Sequence, residues 1–400
     1  MLLFEGLKVL DVGTWIAGPV STTILADFGA DVIKVEIPGE GDPYRKLPHG
    51  PATPKADVNY TWLLDARNKR SVTLNLKSTE GKEVLKKLVS NCDVYVTNQP
   101  MGVRRSLGLT YDELKSLNNR MIYASLTAYG ETGPEAEKEG FDGQAYWARS
   151  GLQDLVRATG APPGNSVAGM GDHPTAVTLF SAIMMGLYRR QLTGEGTMVS
   201  TSLLANGFWS NSCMGQAALA GADFSPRINR HPEEVPWTRR YYEAADGRLL
   251  QLAMVRAPAE QEVLLKELGL ISLLEDPRFA EPNARLDNSQ ALSEAVQEKL
   301  IERDSQVWID LFTSRGVNLS RLATVQDMLQ DEQAIAVGVL TPPREDIGVD
   351  LVINTPQNVL GVTRVGPKRA PEVGEHTDEV LAELGYSIEE IKLLRQAGAT

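Results

Sequence analysis

Cysteine and histidine are scarce in this chain: 400 residues carry two cysteines, Cys92 and Cys213, and four histidines. Neither cysteine sits in a CxxC pair, so no disulfide framework is available. With no HExxH and no Cys/His cluster the pattern argues against a zinc site, and no metal is expected. A reducing compartment follows, and a cytoplasmic protein is the expectation. Positive charge is also short. Forty Lys plus Arg face 52 Asp plus Glu, a formal net charge of −12, so phosphate backbones are repelled and nucleic acid is not an expected partner. The N-terminus has no basic stretch followed by an apolar one. The longest apolar window, residues 176–188, is too short and interrupted to span a bilayer, so no membrane partner is expected either. What remains is an ordinary globular composition, 42% hydrophobic and 23% charged, which excludes disorder as the main state. At roughly 150 residues per domain, the length gives two or three units.

The first half alternates strands and helices. Lys8–Val12, Asp31–Glu36, Ser71–Leu76, Asp93–Thr97 and Met121–Leu126 have strand character. Pro19–Phe28, ended by Gly29, and Ser78–Val89, opened by Ser-Thr-Glu-Gly, have helical character. Strands separated by helices imply right-handed parallel βαβ units and a Rossmann-like, doubly wound α/β sheet. Two longer helices are expected over Asp172–Gln191 and Val199–Leu219. After residue 222 the texture becomes α+β: a hairpin over Arg240–Met254 turning at Asp246-Gly247, then helices over Pro258–Leu268, Asn288–Arg303, Ser305–Ser314 and Thr324–Leu329. Strand character returns from Val349, and a helix ends the tail at Thr377–Leu384.

Several residues carry candidate chemistry. The first βα turn, Gly13-Thr-Trp-Ile-Ala-Gly18, is followed by Glu36 at the end of the second strand. A dinucleotide site wants a middle glycine there, and the bulk of Trp15 and Ile16 blocks the approach of a pyrophosphate. The basic runs Arg67-Asn-Lys-Arg70 and Arg104-Arg105 are either solvated surface or phosphate holders beside βα junctions. Asp172 stands in Ala168-Gly-Met-Gly-Asp-His-Pro-Thr175, a loop leading into an apolar helix. It is either a plain N-cap or a carboxylate kept ionised by orphan N–H groups and the helix dipole, able to attack an activated acyl group. Asp142, in Gly140-Phe-Asp-Gly-Gln144, is structural or an orienting group for Asp172. His173 is not assigned as a base. Met184, Met185 and Tyr188 are expected in the core, and Trp237, Tyr241 and Tyr242 in a pocket or in packing.

Taken in order, these segments resemble the family III CoA-transferases, the superfamily of formyl-CoA transferase, carnitine CoA-transferase and methylacyl-CoA racemase. The resemblance runs through Leu7-Lys-Val-Leu-Asp11, Ala17-Gly-Pro19, Phe28–Glu36, Asn68-Lys-Arg-Ser71 and Leu74-Asn-Leu-Lys77. It continues through Asp93–Asn98, Gly140-Phe-Asp142, Gly171-Asp172, Thr193-Gly-Glu-Gly196, Asp276-Pro-Arg-Phe279 and Gly374-Glu-His-Thr377. It implies that Asp172 is a nucleophile forming an aspartyl–acyl anhydride and then an aspartyl-CoA thioester, with Asp142 assisting. Coenzyme A would arrive as acyl-CoA substrate, and Trp15, Ile16, Ala17, Arg70, Leu74, Asn75, Lys77, Asn98, Gln99, Arg104 and Arg105 fall on CoA-binding segments. Two basic positions of relatives are Ile37 and Ser106 here. The racemase branch carries a histidine where Phe141 stands, which disfavours the alternative of 2-methylacyl-CoA racemisation; a noncatalytic CoA-binding protein is the other alternative. The glycine-rich loop over the oxalate site is replaced by Asn229–Trp237, and Gly171-Asp-His173 with Ile228-Asn-Arg230 resemble the branch acting on 2-hydroxy acids, including aryl ones. The family architecture further implies an interlocked homodimer. Its large domain would be residues 1–200 completed by 345–400, with a small domain over 225–335 and linkers over 201–224 and 336–344.

Overall fold

The computed structural model of the chain describes residues 1–51, 53–224, 235–252 and 254–400. Six strands share one sheet: β1 (Lys8–Asp11), β2 (Asp31–Glu36), β3 (Arg70–Thr73), β4 (Val94–Thr97), β5 (Ile122–Thr127) and β6 (Thr197–Ser202). They lie in the order β3-β2-β1-β4-β5-β6, and each pairing is parallel. This is the doubly wound order, in which the chain works outward from β1, returns beside it and works outward the other way. The expected central parallel sheet is therefore present.

Successive strand residues point to opposite faces, and both faces are covered. Val9, Val94, Val96, Ile122 and Ala124 share one core with Leu25 of the helix Ala17–Asp27 and with Leu179 and Ile183 of the helix Asp172–Thr193. One residue along, Leu10, Tyr95 and Tyr123 enter the other core. They meet Val84 and Leu85 of the helix Thr79–Asn91 and Val380, Leu381 and Ile391 from the far end of the chain. The first helix ends at Gly29, which takes φ +101° and lies so close to Leu2 that an added Cβ would approach it to 2.7 Å.

Residues 199–219 are not one helix. The β-branched residues Thr197, Val199 and Thr201 favour a strand, and β6 forms in register with β5 from Ile122↔Thr197 to Thr127↔Ser202. The Ser202 hydroxyl then accepts the N–H of Ala205 and starts a helix, Leu203–Ser210, followed by Ser212–Leu219. Met185 and Tyr188, expected in the core, are 70% and 64% exposed.

The chain divides into two compact units, residues 1–153, 165–220 and 333–400 in one and 154–164 and 221–332 in the other. The second has its own antiparallel sheet of β7 (Tyr241–Glu243), β8 (Leu249–Gln251) and β9 (Ser320–Arg321). Its hairpin turns at Gly247, with φ +71°. Trp237 and Tyr242 are packing residues there, buried with Leu264, Val296, Trp308 and Phe312, while Tyr241 is exposed. The substrate cues at Ile228–Arg230 and over residues 229–234 lie outside the described residues. No helix among the described residues is long and apolar enough to cross a membrane.

Candidate active site

In a doubly wound sheet the loops leaving β1 and β4 diverge, opening a crevice at the C-terminal ends of those neighbouring strands. Residues 12–16 follow β1 and residues 98–100 follow β4. Asn98 ties the two loops: its Oδ1 accepts the N–H of Thr14 (2.8 Å), and its Nδ2 donates to the Thr14 carbonyl (2.7 Å). Trp15 adopts φ +64°, a left-handed conformation costing a non-glycine residue about 1–2 kcal/mol. Its N–H donates to Asp42 Oδ1 (3.1 Å), which holds it there.

Beneath that loop lies a buried charge network. Lys34 pairs with Asp42 (2.9 Å) and donates to the Gly13 carbonyl, and Lys69 pairs with Asp11 (3.0 Å). Burial would strip the Lys34 ammonium of its proton, but Asp42, Asp11 and Glu36 outweigh burial and push it up to about 12. Burial likewise works against the Asp11 carboxylate, and Lys34 and Lys69 together hold it below the usual range.

A cavity of about 280 Å³ opens in the crevice, and Trp15, Ile16, Ala17, Asn98, Phe141 and Asp172 are among the residues lining it. The Phe141 ring meets the Trp15 ring edge-on, 5.5 Å between centroids. Asp172 is the first residue of the long helix and not its cap; Gly171 occupies the capping position. Gly171 donates its N–H to Asp142 Oδ2 (2.9 Å), and His173 donates its N–H to the Gly169 carbonyl (3.0 Å). Two amides at the helix start are thus already engaged. Burial raises the Asp172 carboxyl first, the neighbouring Asp142 charge raises it further, His173 opposes and Asp65 adds, leaving it at about 7. The expectation that the helix start would keep it ionised is corrected accordingly: burial and the like charge of Asp142 raise the carboxyl. Gly171 is needed for closeness, since a Cβ there would lie 2.7 Å from Tyr146 Cγ and 2.9 Å from Asp142 Cβ. The loop presses against the π turn Gly143–Ala148 that Asp142 begins.

The other sequence-derived residues are spread around this end of the sheet or away from it. Gln99 continues the β4 loop, its N–H donating to Thr97 Oγ1 (3.2 Å). Leu74, Asn75 and Lys77 follow the C-terminal end of the edge strand β3; Leu74 is buried, Asn75 donates to the Gly398 carbonyl (3.2 Å), and Lys77 is exposed. Arg70 opens β3 at the opposite end of the sheet and is shared by Asp31, Glu379 and Glu383. Its neighbours Arg67 and Lys69 are buried against Asp27 and Asp11, so this basic run is largely an internal ion-pair system. Arg104 is buried, bonded to Ser125 Oγ (2.9 Å) and Glu131 (3.0 Å), so a phosphate contact would require breaking that pair. Arg105 is exposed beside Glu137. The sequence gives no sign of Asp65 and Tyr44, which join His173 in space: His173 Nε2 lies 3.1 Å from Asp65 Oδ1, and the Tyr44 hydroxyl donates to Asp65 Oδ2 (2.5 Å). Three distant segments supply them, and no motif links them. Among the described residues, no group of three or more His, Cys, Asp or Glu is placed to hold a metal ion.

Fold and site define an α/β protein with a part-buried carboxyl in its switch-point crevice. Comparison with known proteins supplies the family. The model for CoA-transferase family III matches residues 4–377. The chain is 33% identical to the (R)-2-hydroxy-4-methylpentanoate CoA-transferase of Clostridioides difficile, covering 98% of this chain and 97% of that one. It is 29% identical to the cinnamoyl-CoA:phenyllactate CoA-transferase of Clostridium sporogenes, covering 98% and 96%. Among solved structures it is similar to a CAIB/BAIF family protein from Brucella suis, with TM-score 0.83, 28% identity and coverage of 95% and 98%. The chain belongs to CoA-transferase family III and is an enzyme of that family, whose substrates are CoA thioesters and carboxylates. These relatives are transferases, which disfavours the racemase alternative and sets aside a noncatalytic role.

Proposed function

We propose that the enzyme moves CoA from an acyl-CoA donor to a carboxylic acid acceptor with Asp172 as covalent nucleophile. An Asp172 carboxylate oxygen attacks the thioester carbonyl, the C–S bond breaks, and CoA leaves as thiolate from an aspartyl–acyl anhydride. The thiolate attacks the Asp172 carbonyl carbon, freeing the donor carboxylate and leaving an aspartyl-CoA thioester. The acceptor carboxylate then attacks that thioester, and the released thiolate attacks the acceptor's carbonyl in the new anhydride, giving its CoA ester and restoring Asp172. Each step exchanges one carboxylate or thiolate for another, so the sequence is near thermoneutral and needs no redox partner. The observation carrying this reading is the Asp172 carboxyl lining the crevice cavity. Its raised affinity for a proton makes the anion a more basic nucleophile.

In this reading Asp142 positions the loop by holding the Gly171 N–H. Trp15, Ile16, Ala17 and Asn98 wall the thioester arm, and Gln99, Leu74, Asn75 and Lys77 lie at the same C-terminal end of the sheet, after β4 and β3. The walls of Trp15, Ile16, Leu126 and Phe141 favour an acid with an apolar or aryl side chain, and the relatives named for 2-hydroxy-4-methylpentanoate and phenyllactate support a 2-hydroxy acid. A homodimer is part of the proposal. Met185, Tyr188 and Leu192 are exposed at helical spacing on one helix, and Phe208, Trp209 and Leu219 are exposed on the helices after it, large apolar side chains of the kind a second copy would cover. Gel filtration checks that point. The domain division and a cytoplasmic location remain part of the same reading.

The test of the nucleophile is chemical. After acyl-CoA treatment, hydroxylamine trapping or borohydride reduction should mark Asp172 in the wild type and leave Asp172→Ala unmarked by peptide mass spectrometry. Marking of a different carboxylate would remove the assignment. Deuterium exchange at the α-carbon without any acceptor acid would instead support racemisation.

A further inference from the structure

The His173 ring lies between two acceptors. Its Nδ1 is 3.0 Å from the Gly169 carbonyl oxygen and its Nε2 is 3.1 Å from Asp65 Oδ1. A carbonyl and a carboxylate only accept hydrogen bonds, so both nitrogens are satisfied only when both carry protons. A neutral ring would turn one lone pair toward an oxygen lone pair. Asp65 is itself fixed: it is buried, its Oδ2 accepts the Tyr44 hydroxyl, and its main-chain carbonyl accepts from Thr23 Oγ1 (2.5 Å) and Lys69 Nζ (3.2 Å). The residue that holds the ring is therefore anchored by three partners, one on its carboxylate and two on its main-chain carbonyl.

We infer that His173 is a positioning residue, locked as an imidazolium by Gly169 and Asp65, whose fixed positive charge keeps the adjacent Asp172 carboxylate available as an anion. This deepens the reading of Asp172 as nucleophile and rests on it. The groups facing Asp172 are Asp142 from the loop before the π turn, Asp65 from the helix Tyr60–Ala66, and His173 from its own helix. Tyr44 stands behind Asp65, and Lys138 and Glu139 line the same cavity. Of the groups acting on the Asp172 proton, Asp142 and Asp65 hold it on and His173 drives it off. Burial works against the imidazolium itself, but the Asp65 carboxylate, the Gly169 carbonyl and Asp172 outweigh it. Without that cation, less of the nucleophile would be ionised at neutral pH.

The test is carboxyl and imidazole titration by NMR on the full chain. Asp172 is assigned in protein labelled with ¹³C at the aspartate carboxyls by subtracting the Asp172→Asn spectrum. His173 is assigned by elimination with variants at His49, His231 and His376. In the wild type the His173 ring should stay doubly protonated well above the ordinary histidine midpoint. His173→Gln should raise the Asp172 midpoint by about one unit, a tenfold smaller ionisation constant. The double variant His173→Gln with Asp65→Asn removes both charges and should fall between the two. A wild-type ring that is neutral at pH 7, or a His173→Gln midpoint unmoved or lowered, overturns the inference, and the wild-type ring titration stands even where a variant fails to fold. The acid limb of CoA exchange should move with the midpoint. A midpoint that moves while that limb stays fixed supports the electrostatic role and overturns Asp172 as nucleophile, so the two readings fail separately.

Discussion

Replacing Asp172 with asparagine preserves the side chain's shape and removes its charge, and the effects on stability and on chemistry should part company with pH. The carboxyl midpoint rises from 3.8 to about 7 on folding, through burial and then the Asp142 charge. The folded chain therefore keeps this proton longer than the unfolded chain does. Between those two midpoints the unfolded state loses the proton first, so stability falls as pH rises and levels off above about 7; below the lower midpoint the residue costs nothing. At 1.36 kcal/mol per unit the upper bound is about 4 kcal/mol, and partial access to water lowers it to roughly 1–3 kcal/mol. The unit of roughly 280 residues that holds the sheet has an unfolding entropy of about 0.6 kcal/mol/K, so Asp172→Asn should melt about 2–5 °C higher at pH 8. Thermal unfolding followed by circular dichroism from pH 4 to 8.5 is the assay, beside CoA exchange, which should be lost at every pH. A gain of equal size at both ends of the range, or a loss at pH 8, would refute the electrostatic penalty.

Other perturbations reach the same machinery from different sides. Asp142→Asn removes the charge that most raises Asp172 after burial, so the acid limb of the CoA-exchange profile should shift to lower pH by about half a unit to one unit; a shift upward would contradict this. Gly171→Ala places a Cβ against Tyr146 and Asp142 and should cost about 1–3 kcal/mol in urea unfolding, with loss of exchange activity. Asp11→Ala leaves Lys34 and Lys69 buried with one fewer anion. It should destabilise by about 3–5 kcal/mol in the same assay, and a cost under about 1 kcal/mol would show that Asp42 suffices for Lys34 and that the Pro19 and Asp65 carbonyls suffice for Lys69.

Much of the sheet was legible because its signals are local. Asp31–Glu36 is a strand with the boundaries expected from its apolar pattern and the glycine before it, and Ser78 caps the helix it was expected to open. Residues 199–202 went the other way: next to an apolar helical stretch, their β-branched side chains were decisive only once β5 offered an edge to pair with. The helix Ile388–Gln396 was passed over although Ser387 and Glu390 form a capping box. At the candidate site, Asp172 and Asp142 stood out as loop carboxylates and again in segments resembling a family, while the link between His173 and Asp65 spans 108 positions and has no local trace. The direction of the Asp172 shift was equally hidden. Helix position is readable from sequence, whereas desolvation depends on which distant segments close over the group. The basic run at Arg67–Arg70 shows the same limit, since cations that suggest an anion site were neutralised by Asp27, Asp11 and Asp31 from other strands and helices.

The second face of the sheet is closed by Val380, Leu381 and Ile391, and the N–H of Asn75 donates to the Ala399 carbonyl (2.8 Å). During synthesis, therefore, the strands that carry the crevice loops emerge long before the last segment that covers this face. A nascent chain stalled or cut short before that segment would leave the part of the face beneath Val380, Leu381 and Ile391 open to chaperones and to its neighbours.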